Sequence, residues 1–191
     1  MKYTAIILAG GKSSRMGSDK GLVLLNGKPM ISYIIEILKK MQIPIIIISN
    51  NENYKQFGLP VFADIIKEKG PLGGIYTGLK NSKTESNIIV SCDVPFLSNR
   101  IIELLINKDN GYPISVVQSN GKTHPLIGLY SKKIVKKLFD TILLEKLKVR
   151  SFIEEFPLNT IELDKQEILE YENEIRNINT QEELKIIVYG K

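Results

Sequence analysis

Cysteine and histidine are almost absent from this chain: each occurs once, as Cys92 and His124. A lone thiol excludes an intramolecular disulfide and a zinc site built from several cysteines, and it fits a reducing compartment. No apolar run reaches the roughly 18 residues that a spanning helix needs. The N-terminus also has no basic segment followed by an apolar core and a cleavage site. The expectation is therefore a soluble, cytoplasmic protein with no membrane partner. Positive charge is not concentrated either. The 26 Lys+Arg against 21 Asp+Glu leave a net charge of +5 with no basic block, so nucleic acid is not implied and anionic small molecules are mildly favoured.

What remains is ordinary globular material, 43% hydrophobic and 25% charged over 191 residues. That length suggests one domain with a sizeable core, and no internal repeat, linker or low-complexity stretch divides it. Tyr3 to Ala9 reads as a buried strand. It breaks at once into a loop with Gly10, Gly11 and Gly17, the hydroxyls of Ser13, Ser14 and Ser18, and the cations Lys12, Arg15 and Lys20. Exposed backbone N–H groups beside Arg and Lys suit the oxygens of a polyphosphate. The alternative is a glycine-rich turn with solvated charges. Two familiar phosphate loops do not fit. A Walker A loop would need glycine where Ile6 stands, five before Gly11, and Gly10 to Arg15 does not match G-x-G-x-x-G.

Further along, Leu22 to Leu25 is a short apolar run closed by the turn pair Asn26-Gly27. Pro29 suits the start of a helix that carries apolar residues at helical spacing to about Gln42. Pro44 to Ser49 reads as a strand buried on both faces, the mark of a parallel sheet. A short helix from about Glu52 to Gln56 and a brief strand, Pro60 to Ala63, lead to Asp64. A polar loop then precedes a glycine-bearing helix, Gly70 to about Asn81. Glycines there are poor helix formers unless something packs closely on them. Asn87 to Cys92 is a fourth buried strand ending at Asp93-Val94-Pro95, and Ser98 N-caps a helix through Asn107. Pro113 to Gln118 and Pro125 to Tyr130 suggest an antiparallel β-ribbon that could flank a second ligand. A basic amphipathic helix (Lys132 to about Leu143, with Ile134, Val135, Leu138 and Phe139 inside), a short helix (Val149 to Phe156) and a strand (Leu158 to Leu163) follow. The lysines of the basic helix read as a solvated face. Thr180 and Glu183 form a capping box for a last helix.

Asn50 (with Asn51 beside it), Asp64 and Asp93 all fall at predicted strand ends, which in a doubly wound sheet share one crevice with the glycine loop. A carboxylate directly after a buried run, as at Asp93, can bind Mg²⁺, a hard cation that prefers oxygen. The structural alternative is a turn or N-cap aspartate.

Leu8 through Lys20 reads L-A-G-G-x-S-x-R-M-G-x-x-K, which resembles the signature of nucleotidyltransferases that join a nucleoside triphosphate to a phosphorylated acceptor. Within that superfamily the chain is most similar to the MobA-type molybdenum cofactor guanylyltransferases. The likeness continues in order through Asn26-Gly27-Lys28-Pro29-Met30, Asp64, Gly70-Pro71-Leu72-Gly73-Gly74-Ile75, Cys92-Asp93-Val94-Pro95-Phe96-Leu97, His124-Pro125-Leu126 and Asn177-Ile178-Asn179-Thr180. The resemblance implies an α/β fold, a three-layer, mostly parallel Rossmann-like sheet of the nucleotidyltransferase type with a small antiparallel β-ribbon. It implies a single domain over residues 1–191, with about 1–97 binding the nucleotide and about 98–191 the acceptor. The implied reaction transfers GMP from GTP to Mo-molybdopterin, with Mg²⁺ as cofactor and pyrophosphate as leaving group. Arg15, Lys20 and Asp93 would be catalytic, and Asp93 would hold the metal. Leu8, Ala9, Gly10, Gly11, Lys20, Asn50, Asp64 and Asp93 would bind the nucleotide, and Asn177 and Asn179 the acceptor.

Gly10 stands where cytidylyl enzymes of the superfamily carry alanine, which favours guanine. An acceptor phosphate is already ionised, so no histidine base is needed, and His124 reads as structural or an acceptor contact. Molybdenum insertion proteins and recipient molybdoenzymes are the protein partners the family implies. A cytidylyl- or sugar-phosphate nucleotidyltransferase and a non-catalytic nucleotide-binding or cofactor-delivery module are the alternatives.

Overall fold

The structure, a computed structural model, describes residues 2–10, 19–163, 174–178, 180 and 183. Its strands are β1 (Tyr3–Leu8), β2 (Leu24–Leu25), β3 (Lys28–Pro29), β4 (Ile45–Ile48), β5 (Val61–Phe62), β6 (Ser86–Ser91), β7 (Ile114–Ser119), β8 (Lys122–Ser131) and β9 (Leu158–Glu162). The helices are α1 (Met30–Lys40), α2 (Gly70–Asn81), α3 (Asn99–Asn107), α4 (Val135–Leu143) and α5 (Val149–Ile153), with 3-10 turns at Lys20–Leu22, Glu52–Phe57 and Lys132–Ile134. Seven strands form one sheet in the order β5-β4-β1-β6-β8-β7-β9, and β8 alone runs against the others. β2 and β3 form a separate two-stranded ribbon.

Strand alternation sorts the core into two layers. Ala5 and Ile7 of β1 join Ile31, Ile34 and Leu38 of α1 and Ile101, Ile102 and Leu105 of α3 on one face. Ile6 and Leu8 join Leu72, Ile75 and Leu79 of α2 and Leu138 and Ile142 of α4 on the other. Helices on both faces make the expected three layers. The glycines of α2 have the packing reason expected of them. A Cβ on Gly78 would lie less than 3.0 Å from Ile6 Cγ2, and one on Gly74 would lie 3.1 Å from Leu8 Cδ2. These glycines let α2 lie close over the end of β1.

Local signals hold at the turns. Asn26 and Gly27 both take positive φ (51° and 77°) and close the β2–β3 hairpin. The Ser98 side chain accepts from Ile101 N at the start of α3. Thr180 and Glu183 exchange the reciprocal hydrogen bonds of a capping box, 3.2 and 3.1 Å. Three details differ from expectation. α1 ends at Lys40, because Gln42 turns to φ 56°. The 113–130 ribbon is antiparallel as expected, but its second strand begins three residues earlier, at Lys122, and pairs with both β6 and β7, so the ribbon extends the main sheet. Phe139, expected inside, is 37% exposed and lies against the Tyr76 ring instead. Among the described residues no helix is long and apolar enough to cross a membrane.

Candidate functional site

The carboxyl ends of β1, β4, β5 and β6 converge because the four strands are parallel and in near register. Ala9 N bonds to Ile48 O, Ser49 N to Phe62 O and Cys92 N to Leu8 O, so the chain leaves all four strands at one level. A cleft of about 850 Å³ opens there, lined by Leu8, Gly10, Asp19, Asn50, Asp64 and Pro71 among others. Asn50 and Asp64 are locked together: Asn50 Nδ2 donates to Asp64 Oδ2 at 2.9 Å, and Asp64 N donates to Asn50 Oδ1 at 3.0 Å. Burial holds the Asp64 carboxyl above the ordinary aspartate value, and the Asn50 hydrogen bond opposes it only in part.

Asp93, two residues past the end of β6, is 7% exposed. Lys20 Nζ stands 3.3 Å from Asp93 Oδ2. The other oxygen, Oδ1, is buried and has no hydrogen-bond partner among the described residues. An unpartnered buried carboxylate oxygen is costly and calls for an explanation. The turn or N-cap reading does not supply one, since that oxygen caps nothing. Beside Asp93, the Cys92 thiol is pushed up by burial and remains protonated, so it is a packing group.

A second cleft, of about 810 Å³, opens beside the acidic loop. Its walls include Ser91 and Val94 beside Asp93, His124, Arg150 and, from the C-terminal segment, Arg176 and Asn177. A bulge in β8 shapes it. Val116 pairs with Gly128 but Val117 pairs with His124, which leaves Pro125, Leu126 and Ile127 unmatched on β7. The buried Tyr130 hydroxyl donates to Pro125 O at 2.6 Å and fixes the bulge. His124 is held below the ordinary histidine value by burial first, then by Lys122 and Arg150, so it is neutral at neutral pH. The C-terminal segment docks on the acidic loop through Ile178 N to Asp93 O at 2.9 Å, with the Ile178 side chain buried against Leu25 and Met30.

Of the expected site residues, Leu8, Gly10, Asn50 and Asp64 line the first cleft, and Ala9 is buried just beneath it. Lys20 and Asp93 pair with each other, next in sequence to Asp19 of the first cleft and Val94 of the second, and Asn177 lines the second. Gly11, Arg15 and Asn179 lie outside the described residues. Sequence reading did not single out Asp19, Tyr54, Arg150 or Tyr130. Asp19 had a visible signal, its place next to Lys20 at the end of the glycine loop. The others contact the site only through tertiary structure. Among the described residues no three His, Cys, Asp or Glu side chains cluster as a metal cage.

The sequence model of the MobA-like NTP transferase domain matches residues 5–161. The chain belongs to that family. As a MobA-like protein it is an enzyme, a nucleotidyltransferase. A probable molybdenum cofactor guanylyltransferase of Flavobacterium johnsoniae is 40% identical over 182 residues, covering 95% of this chain and 94% of its own. A second, from Carboxydothermus hydrogenoformans, is 34% identical over 178 residues, 93% and 90% of the two chains. Among solved structures, molybdopterin-guanine dinucleotide biosynthesis protein A of Archaeoglobus fulgidus shares the fold, with a TM-score of 0.82 at 22% identity over 97% of this chain and 96% of that one. A CMP:2-keto-3-deoxy-manno-octonic acid synthetase complexed with CTP shares the fold at a TM-score of 0.74 and 15% identity, over 98% and 97% of the two chains.

Proposed function

We propose that this MobA-like enzyme transfers GMP from GTP to Mo-molybdopterin, with the nucleotide in the first cleft and the acceptor in the second. The observation that carries the reading is the Lys20–Asp93 pair, whose sequence neighbours line one cleft each (Asp19 the first, Val94 the second) and whose buried carboxylate keeps one oxygen without a partner among the described residues. A reaction joining two polyanions needs two adjacent sites and charge compensation where they meet. The first cleft draws its lining from the N-terminal half and the second mostly from residues beyond 98, which supports the division of labour expected near residue 97.

A phosphate oxygen of the acceptor attacks the α-phosphorus, the bond to the bridging oxygen of the β-phosphate breaks, and pyrophosphate leaves with that electron pair. The Lys20 ammonium stabilises the charge that builds at the α-phosphate, and Arg15 forks onto the departing phosphates. The acceptor phosphate needs no base, consistent with the single His124 standing neutral in the second cleft. Asp93 Oδ1 fits Mg²⁺, which takes one or two carboxylates and completes its shell with phosphates and water. The metal supplies Lewis-acid charge neutralisation at the phosphates when bound. Asn50 and Asp64 offer paired amide and carboxyl groups to a purine edge. A methyl on Gly10 would meet none of the described residues beyond its chain neighbours within 4 Å and would stand at the cleft that Gly10 lines, which supports guanine over a site closed by alanine. Asn177 and Asn179 are assigned to the acceptor.

The test is pyrophosphate release by the full chain with Mg²⁺, molybdopterin and each of GTP, CTP, ATP and UTP. Turnover with GTP alone is expected, falling at least about 100-fold in Asp93→Ala. Turnover with CTP would overturn the base assignment. GTP binding without pyrophosphate release would favour a carrier of nucleotide over a transferase.

A further inference from the structure

The two chain neighbours of Lys20, Asp19 and Gly21, are both held by one buried phenol. The Tyr54 ring is fully buried, and its hydroxyl donates to Asp19 Oδ1 across 35 residues of sequence. Asn51 Nδ2 donates to the other oxygen, Asp19 Oδ2, at 3.1 Å. The Asn51 side chain is itself held, because its Oδ1 accepts from Asn53 N at 3.0 Å. The Asp19 carbonyl accepts from Leu22 N at 3.0 Å and opens the 3-10 turn that carries Lys20. On the far side of Lys20, Gly21 packs so tightly that a Cβ there would lie less than 3.0 Å from the Tyr54 hydroxyl and 3.2 Å from Cys92 Cβ. Phenylalanine would fill the same apolar space at position 54. The hydroxyl therefore serves the loop, not the core. Burial pushes the phenol well up, so it remains a donor at neutral pH.

From this arrangement we propose that Tyr54, acting through Asp19, is a positioning residue that aims Lys20 at the reacting phosphate. It rests on the role given to Lys20 above. The geometry supplies a reason for the long reach. Lys20 sits in a turn after the glycine loop, with its ammonium 3.3 Å from Asp93 of a different strand end. The Tyr54–Asp19–Asn51 bolt ties that turn to the loop after β4. A cation that stabilises a transition state must already be in place, because reorganising it during reaction forfeits the gain.

The experiment uses the full chain with Mg²⁺, GTP and molybdopterin, comparing Tyr54→Phe and Gly21→Ala with the wild type. Tyr54→Phe keeps the buried ring, and Gly21→Ala attacks the same contact from the loop side. A lost hydrogen bond to a carboxylate predicts kcat lower by about 10- to 100-fold. The KM for GTP should stay within about threefold, since the loss falls on the transition state. In a Lys20→Ala background the Tyr54→Phe change should cost less than about twofold, because both act through one group. Equal losses in both backgrounds, or a raised KM with kcat intact, would overturn the proposal. A second readout needs no turnover. Labelling of the Lys20 amine by an acylating ester, followed by peptide mass spectrometry, should quicken several-fold in Tyr54→Phe. An unchanged labelling rate sinks the inference even where turnover responds. A wild type that releases no pyrophosphate sinks the functional reading instead and leaves the labelling result to decide the bolt.

Discussion

Gly78→Ala should destabilise this protein although it improves a helix. In an exposed helix interior the change is favourable by about 1 kcal/mol. Here the new methyl would lie less than 3.0 Å from Ile6 Cγ2, 3.0 Å from Cδ1 and 3.4 Å from Cβ. Cγ2 is one bond from Cβ, so it can retreat only by a rotamer change or a backbone shift. Ile6 is fully buried, and β1 is paired to β4 at Ile46 and to β6 at Ile89, so the backbone is held on both sides. Overpacking of this kind costs about 1–3 kcal/mol. Net of propensity, the expected loss is about 1 kcal/mol and ranges to about 2 kcal/mol, a fall in Tm of about 2–8 °C for a chain of this size. Urea and thermal unfolding of the pair Gly78→Ala and Gly78→Ala/Ile6→Ala decide it. Ile6→Ala alone costs about 2–5 kcal/mol through its cavity. In that background Gly78→Ala should become neutral or stabilising, because the methyl enters vacated space. A loss of the same size in both backgrounds would refute the contact as its cause.

Gly10→Ala should fold as the wild type does, since its Cβ meets none of the described residues beyond its chain neighbours within 4 Å; kcat/KM for GTP should drop at least about tenfold relative to CTP in parallel pyrophosphate assays. Tyr130→Phe leaves the Pro125 carbonyl without its 2.6 Å donor. It should cost about 1 kcal/mol in urea unfolding and raise the KM for the acceptor while that for GTP holds. His124 carries a pH signature with a definite sign. Its folded value lies below the ordinary 6.5, so folding is unpenalised above 6.5 and loses stability as pH falls below it, where the unfolded chain takes up the proton first. His124→Gln should flatten that acid-side fall in unfolding midpoints measured from pH 7.5 downward by about two units; an unchanged slope would show that the fall has another origin.

Much of the fold was legible because its signals are local. β1 and β4 are apolar on both faces, which only a covered parallel sheet satisfies, and all ten of their residues are buried. Asn26-Gly27 and Ser98 act within four residues of themselves, so turn and cap chemistry named them directly. The strand-end positions of Asn50, Asp64 and Asp93 followed from topology, since parallel strands deliver their carboxyl ends to one edge. Phe139 shows where periodicity stops: helical spacing put it on the apolar side of α4, yet the neighbouring helix leaves that edge partly open.

The second half of the site belongs to tertiary structure. Nothing local marks Tyr54 as the partner of Asp19, because a tyrosine in a short turn reads as a core or surface aromatic. The hydrogen bond exists only once the ends of β1 and β4 stand side by side. The bulge at Pro125 to Ile127 lies between two stretches of β8 paired with β7, Lys122–His124 and Gly128–Tyr130, the second of which also pairs with β6, an arrangement visible only when all three strands are in place. The unpartnered oxygen of Asp93 is likewise a property of surroundings, set by what packs over the acidic loop and what does not. The order of apolar and turn residues determined the sheet, its layers and the edge where ligands meet it. Contacts between segments far apart in the chain decided which side chains at that edge are held, paired or left open, because burial and through-space hydrogen bonding depend on neighbours that no local pattern names.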